Sequence, residues 1–158
     1  MNQPPARRVD AANAYGRFTD DGSEYVVTDP RTPRPWVNVI ANRRAGLVVS
    51  QTGSGFTWVD NSQLAVVTRW EQDLTRDASG RFLWLRDVET GESWPLAPAP
   101  SLPAYDRFEC RHGLGYTTFR TAFRAVSADW TLFSDREATA ELWRVTLRNE
   151  LLSPRRLE

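Results

Sequence analysis

The segment Glu109-Cys110-Arg111-His112-Gly113-Leu114-Gly115-Tyr116-Thr117-Thr118-Phe119 decides the fold class of this chain. Residues typical of β-strands flank the two glycines on both sides, a pattern that predicts a strand, a tight turn and a second strand. Similar runs recur along the chain, with turn residues between them at intervals of roughly ten residues. Helical periodicity is lacking, and residues 136–142 have room for one turn at most. The sequence therefore predicts an all-β protein, either a sandwich or a barrel, with little or no helix.

Several further segments have the composition of β-strands. The predicted strands are Glu24–Thr28, Trp36–Ile40, Gly46–Ser50, Phe56–Val59, Leu64–Trp70, Phe82–Asp87 and Glu141–Asn149. In the last of these, Trp143, Val145 and Leu147 share one face, and this period-two alternation predicts a half-buried antiparallel strand. Four prolines within residues 95–103 predict a stiff surface connection, because proline supplies no donor to a sheet.

Length and composition indicate one globular domain. The chain has 158 residues, of which 41% are hydrophobic and 25% charged, and its net charge is zero. Every basic residue is arginine, and the arginines are scattered, which argues against a nucleic-acid partner. No apolar run approaches the ~20 residues that cross a bilayer. We expect a flexible leader over residues 1–14, without a secretory signal, and a β-sandwich domain over residues 15–158. The single cysteine favours the cytoplasm.

Few side chains are candidates for catalysis or metal binding. His112, the only histidine, is interpreted as a hydrogen-bonded turn residue, and Cys110 as a small core residue. Asp20-Asp21 and the Asp73…Asp77 pair lie in polar segments and are interpreted as solvated. The sequence therefore predicts no catalytic residue, no metal site and no cofactor.

The seven tryptophans raise the possibility of sugar binding, because flat apolar rings suit the CH groups of a pyranose. Most are expected in the core, Trp84 and Trp143 above all, since these two lie in strongly apolar strands. Trp58 is the best candidate for a sugar contact. It follows the glycine-rich bend Gly53-Ser54-Gly55, where an aromatic side chain can project from a loop.

A series of motifs in fixed order extends this interpretation. They are Asn13–Phe18, Glu24–Thr28, Pro35–Ile40, Phe82–Asp87, Glu109–Phe119 and Glu141–Asn149. In this order and at this spacing they resemble the N-terminal sandwich of glycoside hydrolase family 94, the cellobiose and chitobiose phosphorylases, formerly glycosyltransferase family 36. The resemblance runs from about Tyr15 to Leu157. It implies an antiparallel β-sandwich that is the first part of a super-sandwich, so we expect the domain to be incomplete at its C-terminus.

The resemblance also implies a function. Family members cleave a β-linked disaccharide with inorganic phosphate, inverting the anomeric centre, and phosphate serves as co-substrate. Because phosphate is already a competent anion, an acid and a phosphate site suffice, and in the family both lie in a later helical barrel domain. This chain lacks that domain and is predicted to be inactive alone. The resemblance further implies a homodimer, in which a loop of the sandwich reaches the active site across the interface.

That loop places Ser54, Phe56, Trp58 and Val59 nearest the substrate, although some members have tyrosine where Val59 stands. Two alternatives remain open at this point. One is a stand-alone carbohydrate-binding module. The other is the matching module of a cyclic β-glucan synthase, a class whose sandwich suits the segment Gly53–Trp58. The expected partners are thus a β-linked disaccharide or glucan, a second copy and a helical barrel domain, with no nucleic acid and no membrane segment.

Overall fold

Eleven strands make up the protein in the computed structural model, which describes residues 13–69 and 74–158. They are β1 (Gly16–Phe18), β2 (Glu24–Val27), β3 (Val37–Ala41), β4 (Ala45–Ser50), β5 (Gly55–Val59), β6 (Trp84–Arg86), β7 (Ser93–Pro95), β8 (Arg107–Gly113), β9 (Tyr116–Phe123), β10 (Val126–Ser134) and β11 (Glu141–Asn149). The helical content of the described residues is one 3₁₀ turn, Leu74–Arg76, and none of their helices is long and apolar enough to cross a membrane. The predicted all-β class is confirmed. The predicted leader lies largely outside the described residues.

The strands form three antiparallel sheets. A six-stranded sheet has the order β1-β2-β8-β9-β10-β11, a three-stranded sheet the order β3-β4-β5, and a third sheet pairs β6 with β7. The hairpin of β8 and β9 lies in the middle of the large sheet and pairs Cys110 with Phe119 and Gly113 with Tyr116. Its turn contains Gly115 at a φ of 84°, a conformation that favours glycine. The segment that predicted a strand, a turn and a second strand therefore forms them.

The core is built on one face of the large sheet. Val27, Cys110, Phe119 and Trp130 lie side by side on β2, β8, β9 and β10, and all four are fully buried. Burial raises the pKa of the Cys110 thiol well above its usual value, so Cys110 is a neutral core residue, as predicted. The same apolar cluster includes Ile40, Leu47 and Val49 of the three-stranded sheet and Leu96 and Ala97 after β7.

The proline-rich segment belongs to this core, and the prediction of a surface connection over residues 95–103 is wrong for its first half. Residues 95–99 are buried. Proline has no N–H to leave unpaired, and the amides of Leu96 and Ala99 donate to the carbonyls of Leu83 and Thr52. The Tyr105 hydroxyl donates to the Pro95 carbonyl at 2.8 Å. The segment is therefore buried with few unsatisfied polar groups.

Two tryptophans predicted in the core are not there. Trp84 is 44% exposed and Trp143 is 43% exposed, whereas Trp94 and Trp130 are buried. Trp143 lies on β11, the last strand of the large sheet, and its ring contacts Trp130 edge-on with centroids 5.5 Å apart. Apart from Glu141, every residue of β11 is exposed, so this predicted strand exists but is not half-buried. Its sequence pattern could not show that the covering layer stops before this edge.

The predicted strand Leu64–Trp70 does not form over residues 64–69. That stretch contributes one isolated bridge, between Val66 and Trp58, and the amide of Val67 donates to the Thr57 carbonyl. Trp70 lies outside the described residues. The stretch therefore covers the edge of β5 without forming a regular strand.

His112 links the two sheets at the end of β8. Its Nε2 lies 3.2 Å from the Trp36 carbonyl, which can only accept, so Nε2 carries the proton. Nδ1 then accepts from the Thr117 hydroxyl at 2.9 Å, and Thr117 in turn accepts from Nδ2 of Asn38 on β3. The predicted hydrogen bonding of His112 is confirmed, but its predicted place in a turn is wrong, because the residue lies on β8. Its bonds hold the β8–β9 hairpin against the smaller sheet.

We expect His112 to make folding sensitive to acid. Burial lowers its pKa from 6.5 to about 4, so between these values protons bind preferentially to the unfolded chain. The contribution of neutral His112 to the free energy of unfolding is complete above pH 6.5. It is lost as the pH falls towards 4, which lowers the free energy of unfolding by up to about 3 kcal/mol. Urea unfolding of the wild type and of His112→Gln, at pH 7 and pH 4, measures this difference. Equal losses in both proteins would contradict it.

Candidate functional site

The glycine-rich bend predicted to approach substrate joins β4 to β5. Gly53 has a φ of 92° and Gly55 a φ of 133°, both favoured by glycine alone. A Cβ at Gly55 would lie 2.0 Å from the Val48 carbonyl oxygen, and one at Gly53 would lie 2.7 Å from the Cβ of Ala97. Both glycines are therefore required by close contacts, which fix the bend against the core.

Asp77 anchors the inside of this bend. Its Oδ2 accepts from the hydroxyls of Ser50 at 2.9 Å and Thr52 at 2.5 Å, and the buried Ser54 hydroxyl donates to the Asp77 carbonyl at 2.6 Å. Burial raises the pKa of the Asp77 carboxyl, and the bonds from the three hydroxyls oppose that rise. The interpretation of Asp77 as a solvated loop residue is therefore wrong, and Asp73 lies outside the described residues.

The residues after the bend lie on a strand, and they divide between its two faces. Phe56 and Trp58 point to the outer face of the three-stranded sheet, and Thr57 and Val59 point to the inner one. Trp58 lies directly over Gly46, since a Cβ there would be 2.2 Å from Cζ2 of the indole. The rings of Phe56 and Trp58 are half-buried, with centroids 5.9 Å apart. Trp58 thus projects from β5 and not from a loop.

These two rings belong to a larger apolar surface, which we call the aromatic face and define as Val37, Val39, Val48, Phe56 and Trp58. Register places Val39 beside Val48 and Val48 beside Phe56 on neighbouring strands. Val37 and Val39 are each more than half exposed. The aromatic face is therefore an apolar surface open to solvent on the side of the sheet away from the core.

Val59 lines a different feature, a cleft of about 230 Å³ between β5 and the start of β11. Thr57, Thr68, Ala140 and Glu141 also line it. The predicted site residues are therefore not brought together in one cluster: Ser54 is interior, Phe56 and Trp58 lie on the aromatic face, and Val59 lies in the cleft.

Glu141, which lines the cleft, belongs to a buried ion pair. Arg81 Nε lies 2.7 Å from Glu141 Oε1, and the two side chains are 4% and 12% exposed. The Thr57 hydroxyl donates to Glu141 Oε2 at 2.5 Å and accepts from Arg81 Nη2 at 2.7 Å. Burial lowers the pKa of Arg81, and the charge of Glu141 opposes that shift. This pair could not be predicted from the sequence, because its members lie far apart along the chain.

The site contains little chemistry of its own. The carboxylates of Asp77 and Glu141 are held by hydroxyl and guanidinium partners. Asp21 is exposed on its loop, in agreement with its prediction. Within residues 13–69 and 74–158, no group of three or more His, Cys, Asp or Glu side chains could hold a metal ion. The arrangement presents the aromatic face on one side of β5 and the cleft on the other.

Comparison with known proteins identifies this arrangement. The family model for the glycosyl hydrolase 94 supersandwich domain matches residues 23–158, most of the chain. The chain belongs to that family. The resemblance drawn from the sequence motifs is therefore confirmed, and the three sheets are those of a supersandwich domain.

Individual relatives of this supersandwich domain are much longer proteins. The chain is 34% identical over 143 residues to an N,N'-diacetylchitobiose phosphorylase of Vibrio furnissii, and the match covers 89% of the chain and 18% of the relative. It is 38% identical to a solabiose phosphorylase of Paenibacillus borealis, covering 91% and 19%. It is also 34% identical to the cyclic beta-(1,2)-glucan synthase NdvB of Rhizobium meliloti (strain 1021), covering 94% and 5%. The chain thus spans less than one fifth of the length of these three relatives.

The buried ion pair of this supersandwich domain predicts a large effect of Arg81→Ala. The substitution leaves Glu141 buried without its partner, and we expect a loss of about 3–5 kcal/mol of unfolding free energy. The matched control is Arg86→Ala, which removes an exposed ion pair with Glu158 and should cost no more than about 1 kcal/mol. Urea denaturation of the three proteins provides the comparison. Equal effects of the two substitutions would show that the buried pair stabilises the fold no more than an exposed pair does.

Proposed function

We propose that this chain is the non-catalytic N-terminal β-sandwich module of an inverting glycoside phosphorylase. In that reaction a β-linked disaccharide and inorganic phosphate give a sugar 1-phosphate and a free sugar. The module's role is to shape the sugar site and to form a homodimer. Membership of the supersandwich family and the phosphorylase relatives support the proposal. The observation that carries it is the fixed placement of Phe56 and Trp58 on the aromatic face.

The aromatic pair suits a sugar because its geometry is set before a ligand arrives. Trp58 is supported by Gly46 beneath it, and the strand that holds both rings begins at a bend fixed by Gly53 and Gly55. Apolar CH groups of a pyranose pack well on such rings, and a rigid aromatic side chain loses little entropy on binding. The aromatic face therefore presents a preorganised wall, to which a neighbouring domain would add the polar groups that fix orientation.

The reactive groups belong elsewhere in this proposal. A phosphorolysis needs one acid to protonate the leaving oxygen and donors that hold phosphate. The described carboxylates of the cleft and the bend are already paired, so we assign the acid and the phosphate site to a helical barrel domain. Inorganic phosphate is then a co-substrate, and the chain itself uses no cofactor. The cytoplasm is the proposed compartment, since the one cysteine is buried as a free thiol.

Two other functions have an observation in their favour. A stand-alone carbohydrate-binding module would explain why the aromatic face is open to solvent. The matching module of a cyclic β-glucan synthase is supported by the NdvB relative, which aligns with 94% of the chain. In both alternatives the module contacts sugar and does not catalyse a reaction. They differ from the phosphorylase proposal in the protein to which the module belongs.

The first prediction from this proposal concerns activity. Purified chain mixed with inorganic phosphate and either cellobiose or N,N'-diacetylchitobiose should release no sugar 1-phosphate, because the carboxylates of the cleft and the bend are paired. An enzyme-coupled assay for the released phosphate ester measures this. Turnover that copurifies with the folded chain and disappears in Trp58→Ala would overturn the non-catalytic role.

The second prediction concerns binding. In an NMR titration with cellobiose, the indole signal of Trp58 should shift weakly without saturating at millimolar sugar, because the module supplies only one wall of the site. Trp58→Ala should abolish the shifts, and Trp84→Ala, which removes a more exposed tryptophan of β6, should retain them. Saturation at millimolar sugar, lost in Trp58→Ala alone, would favour the stand-alone module. Shifts that persist in Trp58→Ala would refute the aromatic face as the sugar surface.

A further inference from the structure

Residues 77–81 lie against the bend between β4 and β5, and we call them the brace. Ser54 and Gly80 form an isolated antiparallel bridge, and the amide of Gly55 donates to the Ser79 carbonyl at 2.7 Å. A Cβ at Gly80 would lie 2.7 Å from the Cα of Ser54, so only glycine lets the two backbones approach this closely. The brace and the bend are therefore joined backbone to backbone.

One end of the brace is held by the carboxylate of Asp77. A single oxygen, Oδ2, accepts from the hydroxyls of Ser50 and Thr52, and the Asp77 carbonyl accepts from the hydroxyl of Ser54. Ser50 is the last residue of β4, and Ser54 directly precedes β5. Asp77 therefore connects the end of one strand to the start of the next.

The other end of the brace is held by a guanidinium group behind the aromatic face. Arg81 Nη1 donates to the Val48 carbonyl on β4 at 3.3 Å, and Nη2 donates to the Thr57 hydroxyl on β5 at 2.7 Å. Thr57 lies between Phe56 and Trp58 and points to the opposite face of the strand. Arg81 thus holds the inner side of the strand whose outer side carries both rings.

The bend needs restraint from outside itself. Gly53 and Gly55 have no side chains to restrict their backbone, and glycine has more conformational freedom to lose than any other residue. The bonds to Asp77 start and finish on either side of these glycines, at Ser50 and Ser54. They therefore limit the conformations from which β5 can begin.

We propose that Asp77 is a positioning residue for the sugar contact at Trp58, which it affects through the bend and without touching the sugar. The proposal rests on the sugar contact proposed above and specifies what keeps the rings of the aromatic face in place. Loss of the Asp77 carboxylate leaves the Arg81 bonds to Val48 and Thr57 intact, so the strand remains in the sheet. Its first residues then sample further conformations, and fewer molecules present the rings in the arrangement that binds sugar.

The test is an NMR comparison of the wild-type 158-residue chain with Asp77→Ala, which removes the acceptor of two hydroxyl bonds. Order parameters of the Phe56 amide and the Trp58 indole N–H should fall from the rigid range, about 0.85, towards the flexible range below about 0.6. The shift of the Trp58 indole signal per millimolar cellobiose should fall at least about threefold, because apparent affinity scales with the fraction of competent molecules.

Asp77→Asn should restore both readouts, because its amide oxygen can take the place of Oδ2 and accept from Ser50 and Thr52. Thr52→Val removes one of the two hydroxyl donors and keeps the shape of the side chain. It should lower both readouts by less than Asp77→Ala does, and it carries the test if Asp77→Ala does not fold. Dispersed amide signals show which variants are folded.

The matched control is Asp87→Ala, which removes another buried aspartate. The side chain of Asp87 accepts from Arg155 and from the amides of Glu89 and Thr90, none of which belongs to the bend or the brace. The substitution should lower the free energy of unfolding without changing either readout at the aromatic face. It therefore separates positioning from a general loss of stability.

Three outcomes would overturn the proposal. Unchanged readouts in folded Asp77→Ala, or in Thr52→Val where Asp77→Ala is unfolded, would remove the positioning role and leave the sugar contact intact. Equal losses in Asp87→Ala would show that the readouts follow overall stability. A wild-type chain whose Trp58 signal does not respond to cellobiose would overturn the sugar contact, and the positioning role with it.

Discussion

The structure depends on the packing of Phe119 against Trp130, whose ring centroids are 5.5 Å apart at the middle of the large sheet. Both side chains are fully buried, and each lies between neighbours on the same face of the sheet. Burying two such rings stabilises the fold by several kcal/mol, enough to outweigh the Trp130 indole N–H, which has no partner among the described residues. The smaller sheet and the proline-rich segment are arranged to cover these rings.

The candidate site follows from that covering layer. Gly53 can approach Ala97 because neither residue has a side chain larger than methyl, and the close contact turns the chain into β5. Asp77 then ties the inside of the bend with hydroxyl bonds, and the backbone alternation of β5 sends Phe56 and Trp58 outwards. The aromatic face is thus a consequence of packing on the other side of the same strand. Its rigidity favours the sugar contact proposed above, because a preorganised surface loses little entropy on binding.

At β11, the last strand of the large sheet, the layer that covers the core stops. β11 has the alternating pattern of a buried strand, yet its apolar side chains are exposed because the three-stranded sheet does not extend over them. Arg81 and Glu141 hold the start of the strand, at the point where the two sheets still meet.

The sequence alone determined the all-β class, the central hairpin, the core role of Cys110 and the family, because turn residues and strand alternation are local properties. It located the bend through its two glycines, but it could not assign Ser54 to the interior or Val59 to a cleft. Burial of the proline segment, exposure of Trp84 and Trp143, and the pairing of Arg81 with Glu141 were decided only by the tertiary structure. Each depends on which distant segment lies opposite, and that information is not contained in the spacing of neighbouring residues.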